Sequence, residues 1–262
     1  MNNNLTPAAT VLVLRDSQDE MEVLMVKRSK KPPFGNLYVF PGGKIDDDDH
    51  LKDLENYSDV LDDKNASELL GLDNGGLSYW IACIRECFEE VGILATKRSG
   101  EKLNLEDDEK SKFDSYREKL INNEINLLDI CVKEDLILST ANIAPLSHWI
   151  TPNIESRRFD TRFFIAYLPE KQIVQHDGME LTQSLWINPN KAVDMAFKGE
   201  MQMIMPTIKN LQSCSEFTVA KDMLDSQKRL TNKDIPPILP KFFKENGNWV
   251  GLLPGDDGYE DH

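Results

Sequence analysis

One segment near the middle of the chain carries hydrophobic residues at helical spacing. Its apolar positions recur every three or four residues and predict a buried stripe on a helix over residues 80–93. Those positions are Ile81, Ile84, Phe88 and Val91. Gly92 follows them, and glycine is the usual left-handed residue at a helix C-terminus. The pattern therefore predicts a helix with a core-facing side and a sharp turn after it.

Hydrophobic runs nearer the N-terminus have the length and composition of strands. Residues 10–15 and 22–28 are apolar, and the polar residues 16–20 separate them, which predicts a hairpin. Because both runs are almost continuously apolar, we expect helices to cover both faces of their sheet. Residues 37–40 and 146–150 predict further strands.

The remaining segments predict helices around this core and an extended tail. Residues 46–77 contain leucines that suggest one or two short helices, and residues 101–138 are amphipathic and predicted to be helical. The predicted C-terminal elements are a strand at 186–187, helices at 190–198, 201–211 and 217–224, and extended segments at 235–239 and 249–258.

Composition narrows the classes of function. The 262 residues carry a formal net charge of −15, which argues against broad binding of a nucleic-acid backbone. The sequence lacks a run of 18 apolar residues and opens on polar ones, so neither a membrane span nor a secretory signal is expected. The 4 cysteines lack a CxxC pair and zinc spacing, and are interpreted as reduced thiols packed as small apolar groups. These features predict a cytoplasmic protein without a membrane partner.

Acidic residues gather on another side of the central helix. Glu86, Glu89 and Glu90 lie within one helical turn or so, and their carboxylates converge on one patch. Like charges at this spacing destabilise a bare helix, and a hard divalent cation would relieve the repulsion. Arg85 can fix the orientation of neighbouring acids. A solvated acidic face is the alternative interpretation, because runs of charge usually face water.

A glycine turn upstream favours the cation-binding interpretation over the solvated acidic face. Gly42 and Gly43 follow an apolar strand and permit a sharp turn with close approach of backbone to a ligand. Together with residues 85–93 they resemble the box of the Nudix hydrolase family. That box reads Gly, five residues, Glu, seven residues, Arg-Glu-U-X-Glu-Glu-X-Gly-U, with U apolar. Residues 85–93 match every specified position of the second half, and Gly43 opens the first half.

The resemblance departs from the family pattern in the middle of the box. Gly43 and Arg85 are 42 residues apart where the unbroken pattern has 14, which leaves 28 extra residues and no clear match for the intervening glutamate. An insertion at this place is a feature of the branch similar to peroxisomal coenzyme A diphosphatases. The acidic run at 46–49 is interpreted as a solvated loop, with a supporting role beside a metal as the alternative.

The resemblance implies a fold and a domain organisation. The fold class is α/β, a Nudix-type α/β/α sandwich with a mixed sheet, plus inserted and C-terminal helices. We expect a single domain over residues 1–262. Its elaborations would be an insertion at about 46–77, a helical elaboration at about 101–138 and a C-terminal extension at about 200–262.

The resemblance also implies a metal-dependent active site that uses Mg2+ or Mn2+. The implied metal ligands are the Gly43 carbonyl and the carboxylates of Glu86, Glu89 and Glu90. Arg85 completes the catalytic set. Glu180, in the loop before the strand that holds Trp186, is predicted to be the general base, with one of the helix acids as the alternative.

Substrate contacts are predicted from a stretch in which arginines and aromatic residues alternate. Arg157, Arg158, Phe159 and Arg162 lie just before a strong strand, and the stretch resembles a segment of the inserted-box branch. Arginine forks bind phosphate oxygens, and Phe159 can stack on an adenine or an apolar acyl end. An arginine–carboxylate network in the structure is the alternative.

A second signature adds two predicted substrate contacts. Arg28 and Phe40 match part of the pattern of bacterial coenzyme A pyrophosphatases, although Pro33 stands where that pattern has a second arginine. The basic cluster around Arg28 has two interpretations of equal weight. One is capture of substrate phosphates, and the other is a charged edge that protects the end of a strand.

The function implied by the family is hydrolysis of the diphosphate in a nucleoside diphosphate linked to another group. Coenzyme A or an acyl-CoA is the first substrate prediction, and ADP-ribose, NADH or a capped RNA end are the alternatives. A Nudix-like nucleotide-sensing module without turnover is a further hypothesis, as is a diphosphate isomerase. The expected binding partner is a small nucleotide substrate. No nucleic acid other than a capped RNA end is expected, and both a monomer and a homo-oligomer fit the sequence.

Overall fold

Two long N-terminal strands form the predicted hairpin. The computed structural model describes residues 5–17, 20–29, 35–103, 105, 107–167, 174, 181–245 and 247–261. Strands β1 (Thr6–Ser17) and β2 (Glu20–Arg28) pair in antiparallel fashion. Val11 and Val13 of β1 face one hydrophobic core, whereas Leu12 and Leu14 face another, because side chains alternate along a strand. The expected burial of both sheet faces is confirmed.

The hairpin lies within a larger mixed sheet. The further strands are β3 (Tyr38–Val39), β4 (Gly42–Lys44), β5 (Thr96–Arg98), β6 (Glu101–Lys102), β7 (Leu136–Leu138), β8 (Ile143–Ile150), β9 (Phe159–Tyr167), β10 (Leu181–Ile187), β11 (Pro237–Ile238), β12 (Lys241–Glu245) and β13 (Asn248–Leu252). The main sheet has the order β10-β2-β1-β9-β8-β11, with β3 paired to β2 and β4 paired to β1. β1 runs parallel to β9, and β8 runs parallel to β11, while the other pairs are antiparallel.

Helices cover both faces of this sheet. The α-helices are α1 (Asp63–Leu70), α2 (Leu77–Val91), α3 (Asp107–Ile121), α4 (Leu127–Glu134), α5 (Pro189–Phe197), α6 (Met205–Cys214) and α7 (Ala220–Gln227). Helices α1 to α4 contribute to the core on one face, and α5 to α7 contribute to the core on the other. The predicted α/β/α sandwich is therefore confirmed.

The segment predicted to be helical over residues 101–138 is only partly so. Helices α3 and α4 occupy its middle, but it begins in β6 and ends in β7. These two strands pair with β5 in a small separate sheet, in the order β6-β5-β7. The helical periodicity in the middle of the segment led the predicted helix to include the short strands at its ends. Strands of two or three residues are too short to show a period of their own.

The C-terminal part differs from the prediction mainly in where its helices begin. α6 starts at Met205 and α7 at Ala220, each a few residues later than expected. Pro206 stands in the first turn of α6, where a missing amide proton costs nothing. Beyond them, β12 and β13 form a hairpin of their own. No helix among the described residues is long and apolar enough to cross a membrane.

The four cysteines have the predicted state. Cys83, Cys87, Cys131 and Cys214 are free and buried. Burial raises the pKa of the Cys131 and Cys214 thiols to about 12. They remain protonated at neutral pH and pack as apolar groups.

Candidate active site

Helix α2 positions the box residues because one of its sides is anchored in the core. The predicted apolar positions Ile81, Ile84, Phe88 and Val91 are all buried. The helix ends at Gly92, which has a φ of 73° and so supplies the expected left-handed cap. With that side fixed, Arg85 and the acidic side chains project toward the loop at residues 42–49.

Arg85 is buried and donates hydrogen bonds to three acidic side chains. Its Nε and Nη2 atoms donate to the two carboxylate oxygens of Asp49, each at 2.9 Å. Its Nη1 atom donates to Glu86 Oε1 at 2.9 Å and to Glu89 Oε2 at 3.2 Å. Nη2 also donates to the Lys44 carbonyl at 2.9 Å. The guanidinium therefore holds the helix and the acidic loop in one arrangement, as the two-point geometry of arginine allows.

Asp49 is a site residue that the sequence reasoning missed. The sequence favours a solvated acidic run at 46–49, with a supporting role beside a metal as the alternative, yet the Asp49 side chain is 1% exposed and pairs with Arg85. Asp49 follows Gly43 after five intervening residues, at the place where the Nudix box has its first glutamate, and this spacing was the available signal. The insertion in the box therefore follows Asp49. Asp46, in contrast, is exposed and lies 3.5 Å from Arg85.

The glycine turn closes against two of the helix acids. The Gly42 amide donates to Glu90 Oε2 at 3.0 Å. A Cβ atom added to Gly43 would lie 2.3 Å from Glu86 Oε1, so a side chain there would displace the carboxylate. Gly43 is thus required by the close approach of the backbone to Glu86, whereas Gly42 is required by its approach to β1, where a Cβ atom would lie 2.4 Å from the Ala9 carbonyl oxygen.

The acids around Arg85 carry more negative charge than one guanidinium balances. Burial raises the pKa of Glu86 to about 7; the Arg85 charge opposes that shift, and the Glu89 charge adds to it. Burial also raises the pKa of Glu89 and of Asp49 against the lowering effect of Arg85. Burial alone would lower the pKa of Arg85, but Asp49 and Glu86 raise it, so the arginine stays charged.

The residues present fit a hard divalent cation by their chemistry. Carboxylate and carbonyl oxygens are the ligands that Mg2+ and Mn2+ prefer, and a cation would offset the surplus negative charge on Glu86 and Glu89. Among the described residues, no three acidic, histidine or cysteine side chains already converge as a metal site. Glu86 and Glu89 contact Arg85 instead, while Glu90 contacts the Gly42 amide.

A pocket of about 400 Å³ borders the glycine turn. Three predicted substrate contacts line it together, namely Arg28, Phe40 and Phe159, and most of its other lining residues are apolar. Gly42 also lines it. Because the Gly42 amide bonds to Glu90, this residue connects the pocket to the acids on the other face of the sheet.

Arg162 does not join Phe159 in that pocket. Side chains alternate along β9, so these two residues face opposite sides of the sheet. Arg162 is buried against α1 and α2. Its Nη1 atom donates to the Leu70 carbonyl at 2.8 Å, and its guanidinium carbon lies 5.6 Å from the centre of the Tyr79 ring. This arrangement ties the box insertion to the sheet.

The other predicted residues are placed as follows. Arg157 is exposed, and Arg158 is half-buried with its Nε donating to the Thr151 carbonyl at 3.0 Å. Neither is among the described residues that line the pocket, although Thr151 is. Glu180, the predicted general base, lies outside the described residues, and its role stays a prediction.

Comparison with a solved structure defines the class of protein. A crystal structure of a Nudix hydrolase from Alicyclobacillus acidocaldarius matches 86% of this chain and 97% of that chain, with a TM-score of 0.67 at 23% identity. This likeness concerns the fold. Together with the box helix, it defines a Nudix fold.

Family models and relatives narrow the assignment. The NUDT19 Nudix domain model matches residues 73–213, and a NUDIX domain model matches residues 4–53. The chain belongs to the NUDT19 Nudix domain family and is a Nudix pyrophosphohydrolase. Enzymes of the Nudix class generally use divalent metal ions.

Two relatives align with most of the chain. The acyl-coenzyme A diphosphatase NUDT19 of Xenopus laevis is 27% identical over 281 residues, covering 94% of this chain and 73% of that protein. The putative nudix hydrolase 7 of Caenorhabditis elegans is 28% identical over 244 residues, covering 91% of this chain and 70% of that protein.

Proposed function

We propose that this enzyme hydrolyses the diphosphate bond of coenzyme A or an acyl-CoA. The observation that carries the proposal is the mostly apolar pocket that borders Gly42, whose amide donates a hydrogen bond to Glu90 of the box. The names of the relatives point to the same substrate class. The products would be a phosphopantetheine or its acyl derivative and adenosine 3′,5′-bisphosphate.

The pocket suits the substrate by size and by chemistry. An apolar cavity of about 150 Å³ holds a benzene ring. A pocket of about 400 Å³ therefore accommodates more than one ring-sized apolar group. Phe40 and Phe159 offer aromatic surface, and Arg28 offers a cation for a phosphate of the substrate. The diphosphate, being negatively charged, would lie on the Gly42 side of the pocket, where a cation held by the box acids would neutralise it.

We infer that Mg2+ or Mn2+ binds at the acids of α2. The Gly43 carbonyl and the carboxylates of Glu86, Glu89 and Glu90 would hold it. When bound, the ion would neutralise charge on the diphosphate and activate water for attack on phosphorus. Arg85, anchored by Asp49, orients Glu86 and Glu89. Glu180 or one of the helix acids would accept the proton of the attacking water.

Hydrolysis of a substrate panel tests this proposal. Purified enzyme is given Mg2+ or Mn2+ with coenzyme A, acetyl-CoA, ADP-ribose, NADH and a capped oligonucleotide, and kcat/KM is measured for each. We expect the coenzyme A compounds to rank first and a metal chelator to abolish turnover. A higher kcat/KM for ADP-ribose, NADH or the cap would replace the substrate assignment. Binding of these compounds without cleavage would favour a sensing role.

A further inference from the structure

The C-terminal segment contributes part of the wall of the substrate pocket. Pro240 and Phe242 line the pocket, although both lie beyond residue 213, where the match to the NUDT19 Nudix domain model ends. β11 brings them there by pairing in parallel with the end of β8, where Ile238 lies opposite Trp149. Trp149 lines the same pocket.

Tyr259 fixes the chain on both sides of Pro240. Its hydroxyl donates to the Leu239 carbonyl at 2.8 Å, and its own carbonyl accepts a hydrogen bond from Lys241 Nζ at 2.8 Å. The Lys241 ammonium also lies 4.0 Å from the centre of the Tyr259 ring. The segment that enters the pocket wall is therefore held by the last residues of the described chain.

Gly251 sets the position of the Phe242 ring. The two residues lie opposite each other in the β12–β13 hairpin. A Cβ atom on Gly251 would lie 2.7 Å from Phe242 Cε1, closer than such contacts normally are. Glycine therefore lets the ring lie flat against the neighbouring strand, a known pairing of aromatic residues with strand glycines.

We infer that Phe242 determines which apolar group the pocket accepts. The inference rests on the proposed function, because it concerns the acyl-bearing part of a coenzyme A substrate. With the diphosphate near Gly42, the pantetheine arm would carry the apolar acyl group among the aromatic side chains, and Phe242 would limit the room that this group finds. The residue is a specificity determinant and takes no part in bond cleavage.

A chain-length series tests the role of Phe242. The wild type and Phe242→Ala are compared for kcat/KM with butanoyl-CoA and decanoyl-CoA. Removal of the ring opens space for additional methylenes, so we expect the decanoyl-to-butanoyl ratio to rise about tenfold, the scale at which apolar pockets discriminate small size differences. Phe242→Leu, which perturbs the fold less, is expected to raise the ratio by a smaller factor.

Two further variants separate this role from general damage to the hairpin. Gly251→Ala keeps the ring but displaces it, and is expected to change the same ratio. Trp249→Ala removes a 60% exposed aromatic residue from the same hairpin and is expected to leave the ratio within about twofold of the wild type. Unchanged ratios in the folded Phe242 and Gly251 variants would overturn the inference. If the wild type cleaves no coenzyme A compound, the proposed function itself fails.

Discussion

Replacing Asp49 by alanine removes the carboxylate that anchors Arg85. Asp49 accepts two hydrogen bonds of 2.9 Å from the guanidinium. Hydrogen bonds to charged groups contribute roughly 1.5–3 kcal/mol each, so the two bonds bound the loss at about 3–6 kcal/mol. Two features reduce this loss of stability. Arg85 keeps Lys44, Glu86 and Glu89 as acceptors, and burial raises the pKa of Asp49, which means that desolvation offsets part of the gain. We therefore expect a loss of about 3 kcal/mol in the free energy of unfolding.

Urea unfolding followed by tryptophan fluorescence measures this loss. Asp48→Ala is the matched control, because Asp48 belongs to the same acidic run but is exposed. We expect the control to lie within about 0.5 kcal/mol of the wild type. Turnover should also fall in Asp49→Ala, since Arg85 would no longer orient Glu86 and Glu89. Equal stabilities for the Asp49 and Asp48 variants would refute the assignment of Asp49 as the anchor.

Three other changes probe separate parts of the structure. Glu89→Gln should lower kcat by about 100-fold or more while leaving the fold intact, because it removes a charge that we assign to the metal; equal activity would contradict that assignment. Arg162→Met should cost about 2 kcal/mol in unfolding free energy, because a buried charged hydrogen bond to the Leu70 carbonyl is lost. Thermal or urea unfolding would measure this loss, and an unchanged midpoint would contradict the role of Arg162 in holding the box insertion against the sheet. Asp160→Asn should destabilise the protein at pH 6 and progressively less below pH 3.8, the ordinary pKa of the group. Burial alone would raise the pKa of Asp160, but the hydrogen bond from His148 lowers it, so its stabilisation is present above the ordinary pKa and is lost as the pH falls. A pH-independent difference in unfolding free energy would argue against this pair.

The parts of the fold that were predictable are those in which local sequence pattern and tertiary packing agree. The hydrophobic stripe of α2 and the apolar runs of β1 and β2 are long enough for their periodicity to be read directly. The Gly92 cap follows from the preference of glycine for a left-handed conformation. The local sequence of each of these elements is enough to predict its conformation.

The parts that were missed depend on distant contacts. Asp49 looked like one member of a solvated acidic run, because only the return of the chain after 28 inserted residues brings Arg85 against it. Arg162 and Phe159 looked like parts of one substrate-binding group, but strand alternation directs them to opposite faces of the sheet. Phe242 gave no local signal at all, since its place in the pocket follows from the pairing of β11 with β8.

Product identification by mass spectrometry tests the central claim most directly. Acetyl-CoA is incubated with the wild type and Mg2+, and the masses and amounts of all products are measured. The account predicts acetylated phosphopantetheine and adenosine 3′,5′-bisphosphate in equal amounts, which places the cut within the diphosphate. Release of acetate and free coenzyme A, or recovery of intact acetyl-CoA while ADP-ribose or NADH is cleaved, would contradict it.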